Sequence, residues 1–286
     1  MQKKENSIEK YNELAFLISK ETTKKYSTSF YSASKFFDAK TRQAIHSVYG
    51  FVRLADEIVD TFHDYDKKAL LEKLKKDYSL AYDLGISTNP ILHSFQITVK
   101  EYNIPNEYIE NFLKSMSADL EKKEYKTKEE ANDYIYGSAD VVGLMCLKIF
   151  CKNNNELFNR LYNPAMRLGS AFQKVNFLRD LKEDVLNLGR TYFVDFKIEK
   201  FDEENKLELI KDIEDDFKEA KLGIKELPKG SQLAVIIAYK YYLCLLNKIK
   251  QTPANKVIEK RIRVSDSSKL LLLFNTLIKY KIKQSI

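Results

Sequence analysis

The sequence predicts an all-α protein, and three observations support this fold class. Apolar residues recur at steps of three and four along nearly the whole chain, which is the spacing of one helix face. Only 8 Gly and 5 Pro occur in 286 residues, few for a loop-rich β protein. No alternating strand pattern persists. Because 44% of the residues are hydrophobic, the chain can fill one large core. We therefore expect a single domain over residues 1–286, with 1–6 frayed.

Turn-forming residues separate the predicted helices. The first helix covers about 7–22, and the next, over 42–62, repeats apolar side chains from Ile45 to Phe62. Gly85, Pro90, Pro105, Gly189, Pro228 and Pro253 mark the later boundaries. The remaining helices are predicted at about 66–84, 90–102, 106–121, 128–152, 155–187, 204–226, 230–250 and 265–283. The segment 190–203 is the least regular.

Composition argues against several classes of protein. Cys146, Cys151 and Cys244 have no C-x-x-C spacing, which indicates a reducing compartment and neither a disulfide framework nor a zinc site. The first residues lack the apolar region of a secretory signal, so we expect a cytoplasmic protein. The net charge of +7 comes from scattered lysines without a basic–aromatic motif, so nucleic acid is not an expected partner. Lys240 interrupts the apolar run 233–246, which therefore reads as a core helix.

Two acidic pairs are the most informative feature. Asp56 and Asp60 lie four residues apart, and so do Asp180 and Asp184, about 120 positions later. Side chains at i and i+4 project from one helix face, where like charges repel and weaken the helix. One such pair is common on a solvated surface. Two pairs within apolar surroundings predict a site for hard divalent cations and a phosphate-bearing substrate.

Further polar residues extend each pair into a stripe. Arg53 stands three residues before Asp56, so its guanidinium is placed to engage diphosphate oxygens beside metal-binding carboxylates. Gln173 and Asn176 continue the face of Asp180 and Asp184 and add neutral ligands or donors. Magnesium prefers such oxygen ligands and is usually shared with substrate phosphates.

Five segments resemble the squalene/phytoene synthase family of head-to-head prenyltransferases. They occur in the family's order from about Tyr26 to Leu273. The matching segments are 26–34 (YSTSFYSAS), 49–60 (YGFVRLADEIVD), 134–145 (YIYGSADVVGLM), 169–184 (GSAFQKVNFLRDLKED) with 189–193 (GRTYF), and 261–270 (RIRVSDSSKL). The chain departs from the family pattern at Ser138, Asp140 and Val194, none of which is an expected metal ligand.

The resemblance implies a fold, a reaction and a set of site residues. The fold would be an isoprenoid-synthase-type helical bundle around a central cavity. Two allylic diphosphates would join through a cyclopropylcarbinyl diphosphate with Mg²⁺ (Mn²⁺ possible) as cofactor. The expected metal ligands are Asp56, Asp60, Asn176, Asp180 and Asp184. The expected cavity or catalytic tyrosines are Tyr49, Tyr134 and Tyr242. The expected substrate contacts are Ser27, Ser29, Phe30, Ser34, Arg53, Gln173, Asn176, Arg179 and Arg190, and Asp119 matches a further acidic position.

Product length is expected to depend on Ser34 and His46. C30-forming dehydrosqualene synthases tend to carry a bulky aromatic residue at the first position and a Trp at the second. The small Ser34 favours geranylgeranyl diphosphate and the C40 product phytoene, with a C30 product from farnesyl diphosphate as the alternative. No G-x-G-x-x-G fingerprint occurs, so NADPH is not an expected cofactor.

Other interpretations account for fewer residues. A di-iron bundle needs Glu-x-x-His pairs. The residues three positions before the three histidines are Gln43, Asp60 and Pro90, and none of them is a glutamate. A terpene cyclase usually carries a differently composed second metal motif. Non-catalytic assembly proteins of this fold lack intact aspartate motifs. Arg179 has an alternative as a helix-face partner of Glu183.

The C-terminal stretch leaves two interpretations open. Residues 269–283 are apolar with a basic end, so they predict either contact with the inner face of a membrane or a core helix with a solvated lysine tail. The oligomeric state is left open.

Overall fold

The computed structural model describes residues 7–194 and 198–282, and it is helical almost throughout. The prediction that residues 1–6 are frayed lies outside the described residues. The helices are α1 (Ser7–Tyr26), α2 (Thr28–Ser34), α3 (Ala39–Asp60), α4 (Lys67–Leu84), α5 (Pro90–Glu101), α6 (Asn106–Glu121), α7 (Lys128–Ile135), α8 (Val141–Cys151), α9 (Asn155–Lys182), α10 (Glu203–Ile224), α11 (Lys229–Gln251), α12 (Ala254–Glu259) and α13 (Asp266–Lys281). Only an isolated bridge between Glu124 and Thr191 adds β-type pairing among the described residues.

Helix ends follow from local chemistry. The Asp66 carboxylate accepts a hydrogen bond from the backbone N–H of Ala69 and so begins α4. Gly85 ends the same helix with a φ of 72°, a left-handed conformation that favours glycine. Asn89 caps α5, whose first residue is Pro90, a residue that needs no N–H partner there.

The core is built around α3. Phe51 is fully buried and stacks on Phe95 of α5, with ring centroids 4.0 Å apart, while Phe112 of α6 lies against the same ring at 5.8 Å. Helix α3 packs against α1, α5, α6 and α8, and α9 packs against α8, α10 and α11. The two helices that carry the acidic pairs, α3 and α9, are thus both held by α8.

Two turns of π-helix interrupt helices that the sequence predicts as continuous. The stretch predicted over 128–152 contains a π turn at Tyr136–Asp140, and the one over 155–187 contains a second at Glu183–Asn187. The Val141 N–H bonds to the Tyr136 carbonyl, five residues back. Hydrophobic periodicity does not reveal one extra residue in a turn. Helices α2 and α12 also had no counterpart in the prediction, since each is too short to show a period.

The apolar run around Lys240 belongs to a core helix, as the sequence predicts. Ala234, Ile236 and Ile237 of α11 are buried, and Lys240 is half-buried at its edge. By length and composition the stretch Lys128–Cys151 is apolar enough to cross a membrane, but 61% of its most apolar window is buried within the protein. Burial of that extent fits a helix in the protein core.

A fully buried lysine ties α10 to the end of α11. The Lys206 Nζ donates to the carbonyl oxygens of Lys250 at 3.2 Å and Thr252 at 2.6 Å, and it pairs with Glu203. Lys206→Met should lower the free energy of unfolding by about 2–3 kcal/mol, because two carbonyls lose a charged donor. Urea unfolding measures this, with Lys211→Met, on the exposed side of α10, as the control. Equal stability of the two variants would contradict the capping role.

Candidate active site

The two acidic pairs face each other, as the sequence predicts. Asp184 at the end of the α9 segment interacts electrostatically with its own partner Asp180 and with Asp60 at the end of α3. Burial, followed by these carboxylates, raises the pKa of Asp184 to about 7. The side chains from distant parts of the chain therefore form one acidic cluster.

Asp56 belongs to the same cluster. Burial and then the neighbouring Asp60 raise its pKa to about 7, and Asp119 of α6 contributes in the same direction. Arg53 opposes these effects without cancelling them. The carboxylates of Asp56 and Asp184 consequently favour protonation where no cation compensates their charge.

Arg190 links both halves of this cluster. Its side chain is only 10% exposed and donates to the Asp60 Oδ1 at 2.9 Å, while its backbone N–H donates to the carbonyl of Asp184 at 2.7 Å. The next residue, Thr191, donates its N–H to the carbonyl of Lys123 at 2.9 Å, which anchors the segment after the π turn. This irregular segment holds a guanidinium between the two acidic helices.

Asp119 lies behind Arg190 in an aromatic box. The hydroxyl of Tyr134 donates to Asp119 at 2.7 Å, and that of Tyr192 donates at 3.4 Å. Tyr134 and Tyr192 stack at 5.0 Å, and Phe177 stacks on Tyr192 at 4.2 Å. Burial raises the pKa of Asp119 to about 7. The sequence predicts Tyr134 at the cavity wall, but it is 6% exposed and reaches the site through Asp119.

Asp180 is held by two arginines. The Arg179 Nε lies 3.0 Å from one Asp180 oxygen, and the Arg261 Nε lies 2.8 Å from the same atom. Arg179 thus pairs with its sequence neighbour, although spacing alone favours Glu183 as a partner. Arg261 was not among the predicted site residues; its position in the fifth matching segment was the available signal.

Arg53 adopts a different arrangement from the one predicted. Its guanidinium forms an ion pair with Glu57 and lies 4.4 Å from the ring centroid of Tyr26. The buried Arg53 Nε has no hydrogen-bond partner among the described residues. Spacing places Arg53 in a stripe with Asp56 and Asp60, but Glu57, one turn along the helix, takes the direct contact. An unpaired buried donor remains next to the acidic cluster.

Two stacked pairs of aromatic rings lie beside the acidic cluster. Phe30 of α2 stacks on Tyr49 of α3 at 5.3 Å, and Phe172 of α9 stacks on Tyr242 of α11 at 3.9 Å. The Tyr242 hydroxyl donates to the Asn176 Oδ1 at 3.3 Å. Tyr49 interacts electrostatically with both Asp56 and Tyr242, which places the two ring pairs near each other and near the carboxylates. We call Phe30, Tyr49, Phe172 and Tyr242 the aromatic lining.

The serines and the glutamine predicted as substrate contacts differ in their burial and in their hydrogen-bond partners. Ser27 caps α2 by accepting the N–H of Phe30 at 3.3 Å, and Ser29 is half-buried on the same helix. Gln173 donates to Ser138 at 3.4 Å, so one departure from the family pattern supports a predicted site residue. Ser34 is fully buried one turn after Phe30, in contact with His46.

The residues present fit a divalent metal by charge and donor type. The predicted ligands Asp56, Asp60, Asn176, Asp180 and Asp184 supply hard oxygen atoms, and their mutual repulsion is what a cation would relieve. No three acidic, histidine or cysteine side chains converge on one point within residues 7–194 and 198–282. Arg190 and Arg261 take up carboxylate oxygens there instead. These side chains thus have the donor atoms and charge that suit a divalent metal, but they are not arranged as a preformed coordination site.

A helical bundle with opposed carboxylates, basic side chains and an adjoining aromatic lining defines a class of enzyme that handles a diphosphate on an apolar chain. The squalene/phytoene synthase profile matches residues 23–194, more than half of the sequence. The chain belongs to the squalene/phytoene synthase family, whose members are head-to-head prenyltransferases, and it is a prenyltransferase.

The similar proteins include both a phytoene synthase and a diapophytoene synthase. The chain is 27% identical to a 15-cis-phytoene synthase of Enterobacter agglomerans over 273 residues, covering 86% of this chain and 90% of that protein. It is 26% identical to a 4,4'-diapophytoene synthase of Staphylococcus haemolyticus over 182 residues, covering 62% and 61% of the two chains.

Solved structures confirm the predicted all-α fold. A dehydrosqualene synthase superposes with a TM-score of 0.82 at 22% identity, covering 95% of this chain and 98% of the other. The squalene synthase HpnC from Alicyclobacillus acidocaldarius superposes with a TM-score of 0.72 at 23% identity, covering 83% and 93%.

Proposed function

We propose that the protein condenses two geranylgeranyl diphosphates head to head to phytoene, through a cyclopropylcarbinyl diphosphate, in carotenoid biosynthesis. The reaction class is that of the family, and the near-full-length match to phytoene synthases supports the C40 product. Magnesium is the proposed cofactor because the acidic cluster offers hard oxygen donors. We propose no NADPH-dependent step.

The contact between Ser34 and His46 is the structural observation that supports a C40 product. The Ser34 hydroxyl lies 2.8 Å from the His46 Nε2 and also donates to the Tyr31 carbonyl at 2.8 Å. Both residues are buried, and burial lowers the pKa of His46 to about 4, so the imidazole is neutral. A small hydroxyl and a neutral ring occupy the positions where bulky aromatics favour C30 chains. The small Ser34 side chain, one turn after Phe30, is what supports the longer prenyl tail in this proposal.

In such a reaction the basic and the aromatic side chains of the site would have different roles. When bound, magnesium supplies positive charge that stabilises the departing diphosphate. Arg179, Arg190 and Arg261 hold positive charge beside the carboxylates and are placed to donate hydrogen bonds to diphosphate oxygens. The aromatic lining excludes water and presents ring faces that attract a developing carbocation.

Product analysis tests the assignment directly. The purified protein with magnesium should convert geranylgeranyl diphosphate to a C40 hydrocarbon without NADPH, and farnesyl diphosphate poorly. Mass spectrometry of the extracted hydrocarbon gives the chain length. A C30 product from farnesyl diphosphate as the main outcome would reject phytoene and favour a dehydrosqualene synthase. No release of diphosphate from either substrate would reject the catalytic proposal as a whole.

Ser34→Phe should reverse the chain-length preference. A phenyl ring is much larger than the hydroxymethyl group that contacts His46, so kcat/KM for the longer geranylgeranyl diphosphate should fall by about 10- to 100-fold, while that for farnesyl diphosphate should fall less. Competition between the two substrates, with products separated by mass, measures the ratio. Ser34→Ala keeps the space and serves as the control. An unchanged ratio in Ser34→Phe would remove Ser34 from the determinants of chain length.

A further inference from the structure

Helix α13 turns an apolar face towards solvent. Leu270, Leu271, Phe274, Ile278 and Ile282 are 67%, 61%, 60%, 44% and 55% exposed, respectively. Leu271, Phe274, Ile278 and Ile282 follow at steps of three and four residues and Leu270 adjoins Leu271, so the five lie along one side of the helix. We call these five residues the α13 face. A contiguous apolar stripe of this kind marks a contact surface more often than isolated exposed residues do.

The opposite side of α13 accounts for its attachment to the protein. Thr276 is the one buried residue of this helix, and the Tyr280 hydroxyl donates to Gln232 of α11 at 3.1 Å. Helix α13 thus packs against α11 with its inner side and leaves the α13 face uncovered by residues 7–194 and 198–282. The interpretation of this segment as a core helix is therefore wrong for its outer side.

Basic side chains border the α13 face. A groove of about 560 Å³ separates α11 from α13, and Lys240, Lys248, Ser265 and Ser268 are among its lining residues. Burial and the nearby Lys279 lower the pKa of Lys240. Neither Lys240 nor Lys279 forms an ion pair within the described part of the chain. Two like charges close to each other at this border make a place where an anionic group stabilises the protein.

We propose that the α13 face docks on an anionic lipid bilayer, with Phe274 and its aliphatic neighbours among the acyl chains. Lys240 and Lys279 then lie at the level of the lipid phosphates. An apolar helix face with basic residues at its border has the chemistry of an interfacial helix. This surface is separate from the acidic cluster, so the inference goes beyond the proposed reaction.

A second copy of the chain fits the same surface less well. Five partly exposed side chains offer on the order of 500 Å² of apolar area, below the roughly 800 Å² per partner of a stable interface. Two copies would also bring the Lys240–Lys279 pairs of both chains together, where like charges repel. Charge complementarity therefore favours the anionic bilayer.

Vesicle flotation with the full-length protein tests the proposal without any substrate. The protein should float with vesicles of equal parts phosphatidylcholine and phosphatidylglycerol, less with phosphatidylcholine alone, and less as salt is raised. Leu271→Glu/Phe274→Glu should lower partitioning by about tenfold or more, because charge replaces inserted apolar surface. Lys240→Ala/Lys279→Ala should weaken binding to the anionic vesicles only.

Leu84→Glu is the matched control, since Leu84 is 64% exposed on α4, outside the α13 face. Its binding should equal that of the unmodified protein. Circular dichroism and prenyltransferase activity in detergent should be the same in all variants, which separates a lost membrane contact from a lost fold or a wrong substrate. Equal flotation of Leu271→Glu/Phe274→Glu and the unmodified protein would overturn the proposal. So would a concentration-dependent dimer that the same substitutions dissociate.

Discussion

Asp56→Asn should abolish prenyl transfer and at the same time stabilise the metal-free protein. An amide keeps the size of the side chain but removes a negative charge that attracts the cofactor, so kcat/KM should fall by about 10³-fold. Desolvation and the neighbouring Asp60 both disfavour this charge in the folded protein. Its removal should raise the melting temperature in EDTA by a few degrees. Turnover with geranylgeranyl diphosphate and thermal unfolding measure the two effects.

The raised pKa of Asp56 determines how the stability of the metal-free protein changes with pH. The folded-state pKa of Asp56 is about 7, above its ordinary 3.8, so the folded protein binds this proton more tightly than the unfolded chain. The stabilisation is fully present below about pH 4 and is lost as the pH rises through about 7. Between pH 5 and 8 the melting temperature in EDTA should fall less in Asp56→Asn than in the unmodified protein. Identical profiles, or retained turnover, would contradict the assignment of Asp56.

Arg190→Gln should lower kcat/KM by about 10²- to 10³-fold. The substitution removes the guanidinium that pairs with Asp60 and neutralises the buried Asp119, and it removes a donor for diphosphate oxygens. Excess magnesium should partly restore activity, since a free cation can replace some of the lost charge. Steady-state rates at increasing magnesium concentration measure both effects.

Arg167→Gln provides the matched control. Arg167 donates to the buried Asp216 at 3.0 Å on the α10 side of α9, so its loss removes an arginine–aspartate pair outside the acidic cluster. We expect a lower melting temperature and an unchanged kcat/KM that does not respond to excess magnesium. If Arg190→Gln behaves like Arg167→Gln, then Arg190 is a structural residue and does not act on the substrate.

The arginine contacts also indicate how substrate and cation enter together. Arg190 and Arg261 contact oxygens of Asp60 and Asp180, which are proposed ligands of the magnesium ion. A diphosphate can draw these guanidinium groups away from the carboxylates, which frees the acidic oxygens for the metal. We therefore expect magnesium to bind much more tightly when diphosphate is present than alone. The diphosphate would release carboxylate oxygens from the arginines, and the magnesium would add positive charge beside the diphosphate.

The sequence predicts much of this arrangement because its signals are local and repeated. Asp56, Asp60, Asp180 and Asp184 follow helical spacing, and the structure brings them into one cluster. Partner choice depends on tertiary geometry and was not predictable. Arg53 turns to Glu57 and Tyr26, and Arg261 reaches Asp180 across 81 residues. Tyr192 was missed for the same reason, since its role depends on the box around Asp119.

The π turn at Tyr136–Asp140 holds one residue more than an α-helical turn, so the helical segments on either side of it nearly keep their register although the chain is one residue longer. Deleting one residue inside this turn should therefore restore an ordinary α-helix with little rotation of Tyr134 relative to Leu144. Deleting one residue within Val141–Leu144 would instead rotate the side chains on its two sides by about 100° relative to each other. The Tyr134 hydroxyl would then lose Asp119, or the buried Leu144 would turn away from the core. A single-residue deletion should thus be tolerated better in the π turn than in the helix that follows it.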